Sequence, residues 1–259
     1  MSKQKSPPPN EEQLESPAYR LAALDPDFLL ADQQRGIRFL LEYEKAEQAL
    51  KAWGVESTIV VFGSARVTEN GGGEHAVWYA KAREFANIVS LRGGARDRDV
   101  VTDTRMNVIA TGGGGGVMEA ANRGAHEAGA PSIGFNIRLP FEQEPNPYST
   151  PDLTFQFHYF AMRKMHLAMR ARALIIFPGG FGTLDECFEL LTLAQTGKAP
   201  KIPVILFDKE FWSKAINFKH LVDHGTISPG DLDLFNFAEE PEEAWDILLK
   251  AGILERRKQ

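Results

Sequence analysis

The chain has 259 residues, a formal net charge of −6 and a sequence pI near 5.6. That acidic balance argues against general nucleic-acid binding, which wants a basic face, while 43% hydrophobic residues suffice for a sizeable soluble core. The single cysteine, Cys187, excludes an internal disulfide and any multi-cysteine metal site, and no apolar run approaches the roughly 20 residues that span a bilayer.

Residues 1–16 are polar and proline-rich, with no apolar core of a secretory signal. They are expected to form a disordered tail, and the protein to reside in the cytoplasm without contacting a membrane. From Asp32 to Trp53 apolar residues recur at Ile37, Leu40, Leu41, Ala46, Ala49, Leu50 and Trp53. That spacing predicts a helix with one buried stripe, closed by Gly54, within an N-terminal helical extension over 17–56. Residues 57–259 then form the main domain.

Ser57 to Phe62 reads as its first strand, followed by Gly63-Ser64-Ala65-Arg66, which puts backbone N–H groups and the Ser64 hydroxyl at a ligand edge. A helix from about His75 to Leu91 turns Val77, Ala80, Phe85, Ile88 and Val89 inward. The charged stretch 92–105 reads as an insertion without an assigned role. Asn107 to Thr111 is a second buried strand and runs straight into Gly112-Gly113-Gly114-Gly115-Gly116, then a helix from Val117 to Glu127 that Gly129 ends. A strand over 131–137 leads to a proline-rich loop over 138–151, with Glu142 and Glu144, placed to cover a ligand. Leu153 to His158 alternates as a strand. The helix over 161–170 carries Arg163 and Lys164 in its first turn, against the helix dipole, which favours a functional role for both.

Leu174 to Phe177 is a further buried strand, ended by Pro178. Gly179, Gly180 and Gly182 follow, then Thr183 and a helix with Leu184, Phe188, Leu190 and Leu191. Glycines at such a junction let an anion reach unpaired N–H groups where the helix dipole also favours it. Thr183 either donates to that anion or caps the helix, since Glu186 three residues on completes a capping-box pattern. Pro203 to Phe207 is the last strand, and helices over 211–221 and 242–249 close the chain. Repeated strand–helix alternation gives an α/β, Rossmann-like fold: a doubly wound, mainly parallel sheet with helices on both faces. Two strand–glycine–helix junctions suggest one anionic ligand at the carboxyl edge of the sheet.

Gly-Gly-Gly-Gly-Gly-Val-Met-Glu at 112–119, Met-Arg-Lys at 162–164 and Pro-Gly-Gly-Phe-Gly-Thr-Leu-Asp-Glu at 178–186 closely resemble the LONELY GUY family, often labelled "possible lysine decarboxylase". The resemblance runs from about Thr58 to about Leu249. It implies hydrolysis of the N-glycosidic bond of a nucleoside 5′-monophosphate, AMP or a cytokinin-type N6-substituted AMP, to free base and ribose 5-phosphate. By the same resemblance Arg163 and Glu186 fall on the catalytic arginine and glutamate. Gly113, Gly114, Gly115, Gly116, Gly179, Gly180, Gly182 and Thr183 fall on phosphate-binding positions. Met118 and Glu119 fall where base or ribose is contacted, Lys164 supports the motif, and Ser64 adds a hydroxyl at the same edge. A homodimer is implied, with no cofactor and no metal. The N-terminal helix, the 92–105 insertion and the long glycine cluster depart from the short family members and leave the preferred base open.

Ribosyl C–N cleavage passes through an oxocarbenium-like sugar, so the site needs a carboxylate at the anomeric carbon and a cradle for the 5′-phosphate. The rival from another class is a non-catalytic carrier of a phosphorylated ligand such as the molybdenum cofactor, which needs the cradle but not the Arg163–Glu186 pair. A pyridoxal-dependent decarboxylase would need a desolvated Schiff-base lysine, and Lys164 is the only lysine inside a motif. Neither glycine turn carries a full dinucleotide fingerprint, no Gly-x-Ser-x-Gly elbow is present, and His220 with His224 on one helix face is an insufficient metal signal.

Overall fold

The computed structural model describes residues 8–140 and 144–253, and by its contacts the chain forms two compact units, 1–45 and 46–259. Residues 1–7 of the expected tail, Glu142 of the expected cover loop and the chain after Ile253 lie outside the described residues. In the first unit, α1 (Glu11–Glu15) is one helical turn inside the stretch expected to lack structure, and it buries nothing. The turn α2 (Pro26–Leu30) starts with proline and is capped by the Asp25 carboxylate, which accepts from the N–H groups of Asp27 and Phe28. Arg38 donates to the carbonyls of Leu29 and Ala31. The stripe expected along α3 (Arg35–Ala52) is half realised: Ile37, Leu40 and Leu41 are exposed, and burial begins at Ala46, Glu47 and Leu50. Periodicity says which side chains share a face, not whether a surface lies opposite.

The second unit alternates strands and helices. In order they are β1 (Thr58–Phe62), α4 (Glu74–Arg92), β2 (Val108–Thr111), α5 (Val117–Glu127), β3 (Ser132–Ile137), β4 (Thr154–Phe157) and α6 (Phe160–Met169). Then come β5 (Ala171–Ile176), α7 (Phe181–Gln195), β6 (Val204–Phe207), α8 (Lys209–Ala215), α9 (Phe218–Asp223), β7 (Asn236–Ala238) and α10 (Pro241–Lys250). The strands form one seven-stranded sheet in the order β4-β3-β2-β1-β5-β6-β7, and every neighbouring pair is parallel. Strands β1 and β2 are buried at every position, so the sheet must be covered on both faces. Helices α4, α5 and α10 pack on Ile59, Val61, Ile109 and Ile175 of one face. The end of α3, α6, α7 and α8 pack on Val60, Phe62, Phe135 and Ile176 of the other.

Strand order reverses beside β1: β2, β3 and β4 run out to one side and β5, β6 and β7 to the other. The loops after β1 and β5 therefore part toward opposite faces and open a crevice at the carboxyl edge. No helix among the described residues is long and apolar enough to cross a membrane.

Four expectations are corrected. On α4, Val77 and Ala80 face outward, and the inward face is Tyr79, Ala82, Phe85, Ala86, Ile88 and Val89. Pro203–Phe207 does not supply the last strand; β7 follows, too short at three residues to carry a period. The helix over 211–221 is two, α8 and α9, broken where the Asn217 side chain caps α9 by accepting from His220 N–H. Thr183 and Glu186 form no capping box, because α7 already starts at Phe181 and the Gly180 carbonyl takes the N–H groups of Thr183 and Leu184.

Candidate active site

Three loops meet at the crevice, and Ser64 ties them together. Its N–H donates to Pro178 O at 3.0 Å, and its carbonyl accepts from Val117 N–H at 3.2 Å, where α5 begins. The loops pass too closely for side chains. A Cβ on Gly63 would lie 2.7 Å from Val117, one on Gly179 would collide with the Thr183 hydroxyl, and one on Gly116 with the Ser64 carbonyl. Gly116 also holds φ +69° and Gly113 φ +71°, so both positions need glycine for their backbone alone. The Ser64 hydroxyl accepts from Arg66 N–H at 3.1 Å and so braces its own loop.

Other glycines have no such internal reason. A Cβ at Gly180 or Gly182 would meet nothing within 4 Å. Gly182 stands inside α7, where glycine costs about 1 kcal/mol against alanine. No packing need within the chain accounts for that cost. The first N–H groups of α7 point out of the helix there. Across the crevice Gly113 N–H is taken by Thr111 Oγ1 at 2.9 Å, while among the described residues no acceptor of the chain meets the N–H of Gly114, Gly115 or Gly116. Two sets of N–H groups without an acceptor among the described residues thus lie past the carboxyl ends of β2 and β5. Phe181, between the two open glycines, is 92% exposed.

Helices α6 and α7 bring Arg163 and Glu186 together. One guanidinium nitrogen of Arg163 donates to Glu186 Oε1 at 3.0 Å, and both side chains are buried. The guanidinium also stands over the Phe160 ring, 5.0 Å from its centroid. Its Nε is buried and has no hydrogen-bond partner among the described residues. Burial pushes the Glu186 carboxyl above its ordinary range, and the charges of Arg163 and then Lys164 pull it back only in part. Lys164 bridges Asp185 at 2.8 Å and Glu189 at 2.9 Å along α7. Burial works against its charge, but those two hydrogen bonds outweigh it and hold Lys164 above the usual lysine range.

The remaining predicted residues divide between the two faces. The Met118 sulfur lies beside the glycine cluster, where a Cβ on Gly112 would stand 2.8 Å from it. Glu119 is drawn away to α4, on the face opposite α6 and α7, where it accepts from the Tyr79 hydroxyl at 2.9 Å. Burial and then Glu119 push that phenol up to about 12. Cys187 is buried, its thiol pushed up to about 12 by burial alone, so it is inert packing. His220 and His224 are both exposed at the surface. Phe160, Asn146, Asn122 and Thr111 were not singled out by the sequence. They carry no motif: burial and hydrogen bonds reveal the three polar residues, and the contact with Arg163 alone reveals Phe160, which is exposed.

A family model described as "Possible lysine decarboxylase" matches residues 118–248. Among curated proteins, the chain is 29% identical over 142 residues to the cytokinin riboside 5′-monophosphate phosphoribohydrolase LOG5 of Arabidopsis thaliana, covering 54% of this chain and 61% of the relative. It is 36% identical over 73 residues to the cytokinin riboside 5′-monophosphate phosphoribohydrolase of Rhodococcoides fascians, covering 28% of this chain and 37% of that one. The chain thus spans about three fifths or less of the length of these relatives. Among solved structures, the X-ray structure of the protein designated TM1055 superposes with a TM-score of 0.52 at 21% identity, covering 75% of this chain and 99% of that one. That likeness bears on the fold alone. The molybdenum cofactor binding protein from Rippkaea orientalis superposes with a TM-score of 0.49 at 20% identity, covering 76% and 96%.

Proposed function

The chain belongs to the possible lysine decarboxylase family, and we propose that it is a phosphoribohydrolase of nucleoside 5′-monophosphates. Its substrate is AMP or an N6-substituted AMP, and its products are the free base and ribose 5-phosphate. One observation carries this reading: a buried Arg163–Glu186 pair stands at the same sheet edge as two glycine turns with free N–H groups.

The N–H groups of α7 and of the 114–116 turn hold the 5′-phosphate, aided by the Thr183 hydroxyl. Fixing that end orients the anomeric carbon toward Glu186. As the C–N bond breaks, its electron pair leaves with the base and positive charge develops on the sugar, which the Glu186 carboxylate stabilises. Glu186 also accepts the proton of the water that adds to the anomeric carbon, and that proton passes on to the departing base, which leaves neutral and restores the carboxylate. Arg163 orients Glu186 and offsets part of the burial that opposes its ionisation, and its Nε, which meets no acceptor among the described residues, can meet the substrate. No cofactor takes part in this scheme.

The family's descriptive name fits the chain poorly. A Schiff-base lysine must lose its proton, and Lys164 is held protonated by two carboxylates. We also propose a homodimer in the cytoplasm, the dimer to be checked by light scattering; a monomer at micromolar concentration would remove that part.

The test is incubation with AMP, GMP, CMP, IMP and N6-isopentenyl-AMP, with free base followed by chromatography. Base release from at least one nucleotide supports the hydrolase. A rise in melting temperature with a nucleotide, without base release from any, would replace it by a carrier of a phosphorylated ligand.

A further inference from the structure

We propose that Asn146 is the positioning residue that aims the 112–116 turn at phosphate, an inference resting only on the phosphate-binding part of the function above. Asn146 lies in the loop between β3 and β4 and is 7% exposed. Its backbone N–H donates to Gly113 O at 2.9 Å, and its side-chain Nδ2 donates to Gly114 O at 3.0 Å. One residue therefore holds two successive carbonyls of the glycine turn.

The consequence follows from peptide geometry. In a planar trans peptide the C=O and the next residue's N–H point in opposite directions. Drawing Gly113 O toward Asn146 sends Gly114 N–H the other way, and drawing Gly114 O sends Gly115 N–H the same way. Successive N–H groups on one side of a turn make a concave nest for an anion. Neither of these two meets an acceptor of the chain among the described residues.

The amide of Asn146 is itself held on both sides. Its Oδ1 accepts from Tyr148 N–H at 3.1 Å and Ser149 N–H at 3.3 Å, so Nδ2 is turned to the glycines. Nδ2 also donates to Asn122 Oδ1 at 2.9 Å. Asn122 Oδ1 accepts from the Thr111 hydroxyl at 2.7 Å, and that hydroxyl accepts from Gly113 N–H. Asn122 Nδ2 donates to Ser132 Oγ at 2.9 Å. All four side chains are buried. A saturated polar network under a turn of glycines fixes one orientation of a backbone that could otherwise flip.

The experiment compares wild type with Asn146→Ala and with Asn146→Asp, which keeps the size, the acceptor and the backbone bond to Gly113 O but cannot donate from its side chain to Gly114 O. Orthophosphate, ribose 5-phosphate, AMP and adenosine are titrated by calorimetry, and AMP turnover is measured. Both variants should bind the three phosphate-bearing ligands about ten- to a hundredfold more weakly, as for one or two lost charge-assisted hydrogen bonds. Adenosine affinity should stay unchanged, and the KM for AMP should rise while kcat stays within about threefold. Equal weakening of adenosine and AMP would mean a merely structural role and overturn the proposal, as would unaltered AMP affinity in both variants. Wild type that binds neither orthophosphate nor ribose 5-phosphate would overturn the phosphate cradle itself, a failure distinct from that of Asn146.

Discussion

Two arginine–glutamate pairs are buried at opposite edges of the sheet. At the amino edge Arg170 meets Glu47 through two hydrogen bonds of 2.9 Å, and its Nε donates to Val55 O at 3.2 Å. At the carboxyl edge Arg163 meets Glu186 through one hydrogen bond of 3.0 Å, and its Nε has no partner among the described residues. The chemistry is the same, and the electrostatics are opposite. The hydrogen bonds from Arg170 hold the Glu47 carboxyl down at about 2, whereas burial pushes Glu186 up and Arg163 fails to bring it back. A saturated pair is a fastener, which here joins α3 to the start of β5. An unsaturated pair is a costly one to leave dry, and it suits a site where a ligand supplies the missing partners.

Breaking each pair should separate these roles. The largest effect is expected for Glu186→Gln: base release from AMP should fall by about a thousandfold or more, the range for a general base or charge stabiliser, while AMP still binds. Glu47→Gln should leave turnover per folded molecule unchanged and cost stability instead. Its folded pKa is depressed from 4.5 to about 2. Its contribution is therefore full above 4.5 and lost as pH falls toward 2, and denaturant unfolding should register a loss of about 3 kcal/mol at pH 7 and almost none at pH 2. A constant loss across that range would contradict the fastener.

The pH profile sharpens the other half of the comparison. The proposed reaction uses ionised Glu186 and burial raises its pKa, so the acid limb of kcat/KM should have its midpoint above the ordinary 4.5. A midpoint below 4.5 would mean that Arg163 outweighs burial. The smallest expected effect is that of Gly182→Ala, which should raise stability by about 1 kcal/mol while weakening AMP binding. A gain of stability at no cost in binding would remove Gly182 from the cradle.

Much of this was legible because apolar runs flanked by glycines announce buried parallel strands and tight crossovers. β1, β2 and α5 fall within a residue or two of where those signals put them. Three residue types escaped for physical reasons. β7 is too short to show a period. Ile37, Leu40 and Leu41 have the right spacing for burial and no buried environment. Glu119 sits in a motif, yet its oxygen goes to Tyr79, forty residues away, and sequence spacing cannot show which face of a sheet a first-turn side chain will choose. At the site, Arg163 and Glu186 are 23 residues apart and meet as the motifs suggested. The network of Asn146, Asn122 and Thr111 beneath the glycines had no signal in spacing, since isolated polar residues gain meaning only when their partners are known.

The most direct measurement is single-turnover incubation of AMP with excess protein, wild type and Glu186→Gln side by side, following adenine and ribose 5-phosphate together. Equimolar release of both products by wild type, with AMP bound but intact on the Glu186→Gln variant, is the predicted result. AMP bound and intact on both proteins, or adenine released equally by both, would contradict Glu186 as the carboxylate that cleaves the glycosidic bond.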